Sequence, residues 1–111
     1  MNQEELNEVI AKQIDYCKSI LLAKGAEYAS EAIKNTEVDR LAHFKKAAAM
    51  MNITPRAALM GMLSKHLISV SDMCMDERNY SKEQWNEKIT DSINYLLILR
   101  AIVEEELNEE D

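Results

Sequence analysis

Apolar residues recur along this chain at spacings of three and four, with no alternation long enough to predict a strand. Leu6, Ile10, Ile14, Cys17 and Leu21 are separated by four, four, three and four positions. That stripe predicts an amphipathic helix over about residues 3–23, with Gly25 as its C-terminal cap. Residues 26–36 lose the period and read as a connection with one helical turn. Thr36 with Asp39 resembles an N-cap followed by an acidic residue in the first turn. A second helix then runs to about Met51, with Leu41, Phe44, Ala48 and Met51 on one face.

Asn52-Ile53-Thr54-Pro55 is the clearest punctuation. Thr54 suits an N-cap, and Pro55 suits the first helical position, where its missing N–H costs nothing. The third helix is expected to run to about Asp76. Leu59, Leu63, His66 or Leu67, and Val70 mark its inner side, and Ala58, Gly61 and Met62 are close-packing positions. Residues 76–80 form the next connection. Ser81 with Gln84 makes a capping box for a fourth helix carrying Trp85, Ile89, Ile93, Leu96, Leu97 and Ala101. The terminal EEELNEED reads as a frayed, solvated end. Four helices with short connections imply a single all-α domain over residues 1–111, an antiparallel four-helix bundle.

Composition narrows the classes. The 111 residues include only 2 Gly and 1 Pro, which disfavours a turn-rich β fold. There are 13 Lys and Arg against 20 Asp and Glu, a formal charge of −7. An acidic balance disfavours general nucleic-acid binding, which needs a basic face. It leaves open a polyphosphate ligand bridged by a cation. No apolar run reaches a membrane span, and the acidic MNQEELNEVI lacks the basic start of a secretory signal. Cys17 and Cys74 form no metal-binding pair, so a reducing cytoplasm is expected, with both thiols in or near the core.

Candidate chemistry comes from polar residues on otherwise apolar faces. Lys65, Ser69 and Asp72 share one side of the third helix, and His66 flanks them. Glu87, Asp91 and Asn94 repeat that spacing on the fourth, with Tyr95 four residues after Asp91. Asp91 and Asn94 lie inside the apolar run ITDSINYLLIL, where an uncompensated carboxylate costs several kcal/mol. Asp72, Glu87 and Asp91 are therefore candidate ligands of a hard divalent cation, Mg²⁺, which could activate a water against a phosphoryl centre. Lys24, Arg40, Lys65 and His66 are candidates for phosphate charge, and Asn94 and Tyr95 for orienting a ligand. Plainer readings stand beside these. Glu87 and Asp91 also suit a solvated helix face, and Asp72 an ion pair with Lys65 or Lys88. His66 also suits a structural role, Lys45 and Lys46 an exposed pair, and Trp85 a core anchor. The cluster Met50, Met51, Met60, Met62, Met73 and Met75 suits packing, or else an adaptable partner surface.

Four segments together carry a family resemblance: Lys24-Gly25-Ala26-Glu27-Tyr28, the run from Asp39 to Lys45, Lys65-His66 with Ser69 and Asp72, and the run from Glu87 to Leu97. Over about residues 16–103 the chain resembles phage and prophage proteins related to the nucleotide-modification-associated domain. Those are similar in turn to the all-α nucleotide pyrophosphohydrolases, the MazG-like enzymes and dimeric dUTPases. The resemblance implies a four-helix core paired into a homo-oligomer, and Mg²⁺-dependent cleavage of a nucleoside triphosphate to monophosphate and pyrophosphate. It implies Glu87 and Asp91 as one acidic metal-binding pair, although they are four apart where the MazG pattern has three. The other pair, an ExxE on the preceding helix, is missing; Lys65, Ser69 and Asp72 stand there instead, and Glu27 or Asp39 is the remaining carboxylate source. The alternative from another class is a non-enzymatic interaction or anti-defence protein that binds a host protein or sequesters a nucleotide.

Overall fold

The computed structural model describes residues 1–28 and 39–110, with the side chains of 24–28 and 110 left aside. Among the described residues there are four helices and no strand: α1 (Gln3–Tyr28), α2 (Ala42–Met51), α3 (Pro55–Met75) and α4 (Lys82–Glu110). None of these helices is long and apolar enough to cross a membrane. The chain divides into two compact units, Met1–Arg40 and Leu41–Asp111.

The first unit is built on α1. A reciprocal cap opens it: the Glu5 amide donates to Asn2 Oδ1 at 2.8 Å, and the Asn2 amide donates to Glu5 Oε1 at 3.3 Å. This is the capping-box device with Asn in place of Ser or Thr, two orphan donors satisfied at once. The helix does not stop before Gly25 but continues to Tyr28. Helical geometry costs glycine only about 1 kcal/mol, which neighbouring helix formers outweigh. Cys17 is buried, whereas Leu6, Ile10 and Ile14 of the same stripe are each 42–49% exposed. Asp39 precedes α2 rather than lying in its first turn, and the α2 N-cap position is Leu41, which makes no side-chain cap. Thr36 lies outside the described residues.

The second unit holds α2, α3 and α4, with α3 packed against both others. Its core is Phe44, Leu59, Leu63 and Ile102, with Leu41, Met62, Tyr95, Ile98 and Leu99 packed around it. α2 ends on Asn52, held in the left-handed region at φ 55°. The Asn52 and Ile53 amides donate back to the Ala49 and Ala48 carbonyls, which is a Schellman closure. Thr54 and Pro55 then start α3 as the sequence indicates, Thr54 Oγ1 accepting from the Ala57 amide at 3.2 Å. The connection to α4 is tied by Asp76. Its carboxylate accepts from the Arg78 amide at 2.9 Å, from Arg78 Nε at 2.6 Å and from the Tyr80 hydroxyl at 3.1 Å. These donors, the Arg78 amide foremost, hold the Asp76 carboxyl below its ordinary pKa. Ser81 and Gln84 then exchange their capping bonds at 2.9 and 3.1 Å. α3 and α4 run in opposite directions, since Arg56 meets Glu106 while His66 lies by Asp91.

Five expectations are corrected here. The acidic tail is not frayed: α4 continues to Glu110, and Glu105 and Glu106 pair with Lys45 at 2.6 Å and Arg56 at 3.0 Å. The α4 face in this core is Tyr95, Ile98, Leu99 and Ile102, not the stripe of Ile89, Leu96 and Leu97, which are 37–50% exposed. Met73 is buried and Met62 packs on the core, but Met50, Met51, Met60 and Met75 are exposed. Among the described residues Gly61 is no close-packing position, because a Cβ added there would meet nothing within 4 Å. Leu67 is exposed, so His66 is the residue on the inner side, and Cys74 is exposed as well.

Candidate functional site

The seam between α3 and α4 gathers part of the polar set. His66 leaves α3 one turn beyond Leu63, and Asp91 and Tyr95 lie one turn apart on α4. His66 Nδ1 stands 3.9 Å from Asp91 Oδ2, both side chains about a quarter exposed. That is ion-pair distance once the imidazole is protonated, and too long for a direct hydrogen bond. The rings of His66 and Tyr95 lie 4.9 Å apart at a tilt of 36°. Phe44 also meets Tyr95 edge-on, with ring centroids 6.4 Å apart and an interplanar angle of 85°. Core packing thus fixes Tyr95 from below, and Tyr95 in turn positions the imidazole.

Beside this group Asn94 is buried, and neither Nδ2 nor Oδ1 has a hydrogen-bond partner. Leaving a buried polar group unsatisfied costs about 1–3 kcal/mol, and native proteins keep few of them. An amide presents a donor and an acceptor side by side, the pattern that recognises the edge of a nucleobase or another amide. Thr90, fully buried, and Ser92 lie on the same stretch of α4 and carry no periodic signal in the sequence. Ser92 Oγ donates to the Lys88 carbonyl at 2.9 Å.

The other candidates are not brought into this group. Glu87, Lys65 and Asp72 are exposed on their helices, and among the described residues neither Lys65 nor Lys88 pairs with Asp72. Arg40 belongs to the first unit, where its Nη2 donates to the Leu21 carbonyl at 3.5 Å. The Lys24 side chain and the side chain of Glu27 lie outside the described residues. Among the described residues no three of His, Cys, Asp and Glu converge to hold a metal ion. Asp72, Glu87 and Asp91 of one chain therefore do not fit an Mg²⁺ ion as a set, and no reaction step is assigned to one.

A concavity of about 310 Å³ lies in the Leu41–Asp111 unit, lined by Leu41, Lys45, Pro55, Ile102, Glu105, Glu106 and Glu109. Its lining cation, Lys45, is paired with Glu105 at 2.6 Å, and Glu106 and Glu109 add carboxylates, so it offers a phosphate no unopposed positive charge. Compared with protein-family models, with curated proteins and with solved structures, the chain matches none.

Proposed function

We propose that this chain is a small nucleotide-handling protein whose ligand meets the α3–α4 seam at His66, Asp91, Asn94 and Tyr95. One observation carries the reading: a buried amide with both hydrogen-bonding groups unused, next to an aromatic pair and a carboxylate about a quarter exposed. The aromatic rings suit a base or sugar face, and the Asn94 amide suits a base edge. Binding without turnover is favoured over pyrophosphohydrolysis, because Asp72, Glu87 and Asp91 do not converge within one chain. Mg²⁺-dependent hydrolysis of a nucleoside triphosphate, as in the MazG-like and dimeric dUTPase enzymes, remains the enzymatic form of this proposal. The two unbridged thiols, Cys17 and Cys74, accord with a cytoplasmic setting.

The test is a thermal-shift panel of canonical and modified nucleotides, with and without Mg²⁺, read together with pyrophosphate release. Binding alone gives a shift, no release, and loss of the shift in Asn94→Leu. Mg²⁺-dependent release abolished in Asp91→Asn would instead establish the hydrolase. No shift with any nucleotide overturns both forms. A second reading, a non-enzymatic protein that binds a host factor, is favoured by the apolar residues Leu6, Val9, Ile10 and Ile14 left half-exposed on α1.

A further inference from the structure

Two carboxylates of this chain are shielded to nearly the same degree and treated very differently. The Asp76 side chain is 29% exposed and accepts three hydrogen bonds. The Asp91 side chain is 27% exposed, and its one contact among the described residues is His66 Nδ1 at 3.9 Å, beyond hydrogen-bond reach. A carboxylate drawn that far out of water calls for donors, and within the chain Asp91 has none. Asn94 follows three positions later, with Nδ2 and Oδ1 both unpartnered. Side chains at that spacing stand next to each other on a helix, their Cβ atoms about 5–6 Å apart. On one side of α4, then, two acceptor oxygens adjoin an unspent amide donor.

We infer that the base taken at this seam is guanine, an inference that rests on the nucleotide reading and narrows it to one base. A carboxylate accepts and does not donate, so it selects an edge with two adjacent donors. The pairing edge of guanine runs donor, donor, acceptor: the 2-amino N–H, the N1–H and O6. Asp91 accepts from the first two, and Asn94 Nδ2 donates to O6. The Asn94 amide is enclosed, so that third bond needs a turn of its side chain; Asp91, about a quarter exposed, carries the selection. Adenine offers one donor beside a bare ring nitrogen, and so does cytosine. Uracil and thymine offer one donor between two carbonyls. Each of these sets a lone pair against a carboxylate oxygen, and the contact left unpaired is what rejects it.

The experiment is calorimetric titration of the full chain with the monophosphates of guanosine, inosine, adenosine, cytidine and uridine, which differ in the base. The guanosine form binds at least about tenfold tighter than the inosine form, which lacks only the 2-amino group, and than the other three. That comparison uses the wild type and needs no variant to fold. Asp91→Asn exchanges one acceptor oxygen for a donor. It loses the guanine preference and moves it to xanthosine monophosphate, in which a carbonyl replaces the 2-amino group. An aspartate that served only to hold α3 against α4 would give no such exchange. Equal binding of the guanosine and inosine forms, tighter binding of another base, or an unchanged preference in Asp91→Asn overturns guanine selection and leaves the nucleotide reading standing. No binding of any monophosphate overturns it as well, and the nucleotide reading falls with it only if the thermal-shift panel is also silent.

Discussion

At the scale of single residues, Asn94 and Asp76 show opposite solutions to placing a polar side chain. Asp76 gathers three donors in the connection before α4, while Asn94 is enclosed with none. Replacing Asn94 by Leu removes two unsatisfied groups at the same number of side-chain heavy atoms, so we expect a gain of about 1–3 kcal/mol in urea unfolding. A loss of stability would show that Asn94 has a partner in solution. Asp76 has the reverse sign. Its folded pKa lies below its ordinary value of 3.8, so its contribution is complete above that value and is lost as pH falls through the folded pKa. Titration of the Asp76 carboxyl by NMR is expected to give a midpoint under 3.8, rising toward it in Arg78→Ala. Of the candidate site, His66, Asp91 and Asn94 are legible because each interrupts an apolar pattern at helical spacing, and Tyr95 because it stands four residues after Asp91. Thr90 was not, since a threonine in an apolar run has no spacing of its own.

At the scale of elements, the ends were easier to read than the faces. Pro55 and the Ser81–Gln84 pair act through neighbours three residues away or fewer, so sequence alone locates them. Thr54→Ala is expected to cost about 1 kcal/mol in chemical denaturation, by freeing the Ala57 amide. The same reasoning applied to Asn2 and Glu5 would have found the α1 cap. Which side of α4 faces the core is another matter. Tyr95, Ile98, Leu99 and Ile102 and the stripe of Ile89, Leu96 and Leu97 are both apolar, and only packing against α3 chooses between them. The helical tail is hard to read from sequence for a related reason. Seven residues with repeated Glu repel one another along a helix, but Lys45 and Arg56, far away in sequence, neutralise Glu105 and Glu106. We expect Lys45→Ala with Arg56→Ala to lower the helical signal of the tail and to cost less than about 2 kcal/mol, with salt having the same effect on the wild type.

At the scale of the whole molecule, the core of the Leu41–Asp111 unit is small and centred on one helix. Leu59 and Leu63 are fully buried on α3, so Leu59→Ala is expected to cost about 2–5 kcal/mol in thermal or urea unfolding, the range for emptying a packed site. That central position also dictates an order of events in time. The α2–α3 link is residues 52–54, and the α3–α4 link is residues 76–81, each stiffened by its own hydrogen bonds. Closing such short links costs little entropy, whereas joining Lys45 to Glu105 requires the chain to be nearly complete. The α2–α3 and α3–α4 pairs are then expected to form early in refolding and the α2–tail contact last. In stopped-flow refolding, truncation at Leu63 slows the folding limb, while truncation at Lys45 leaves it unchanged and quickens only unfolding.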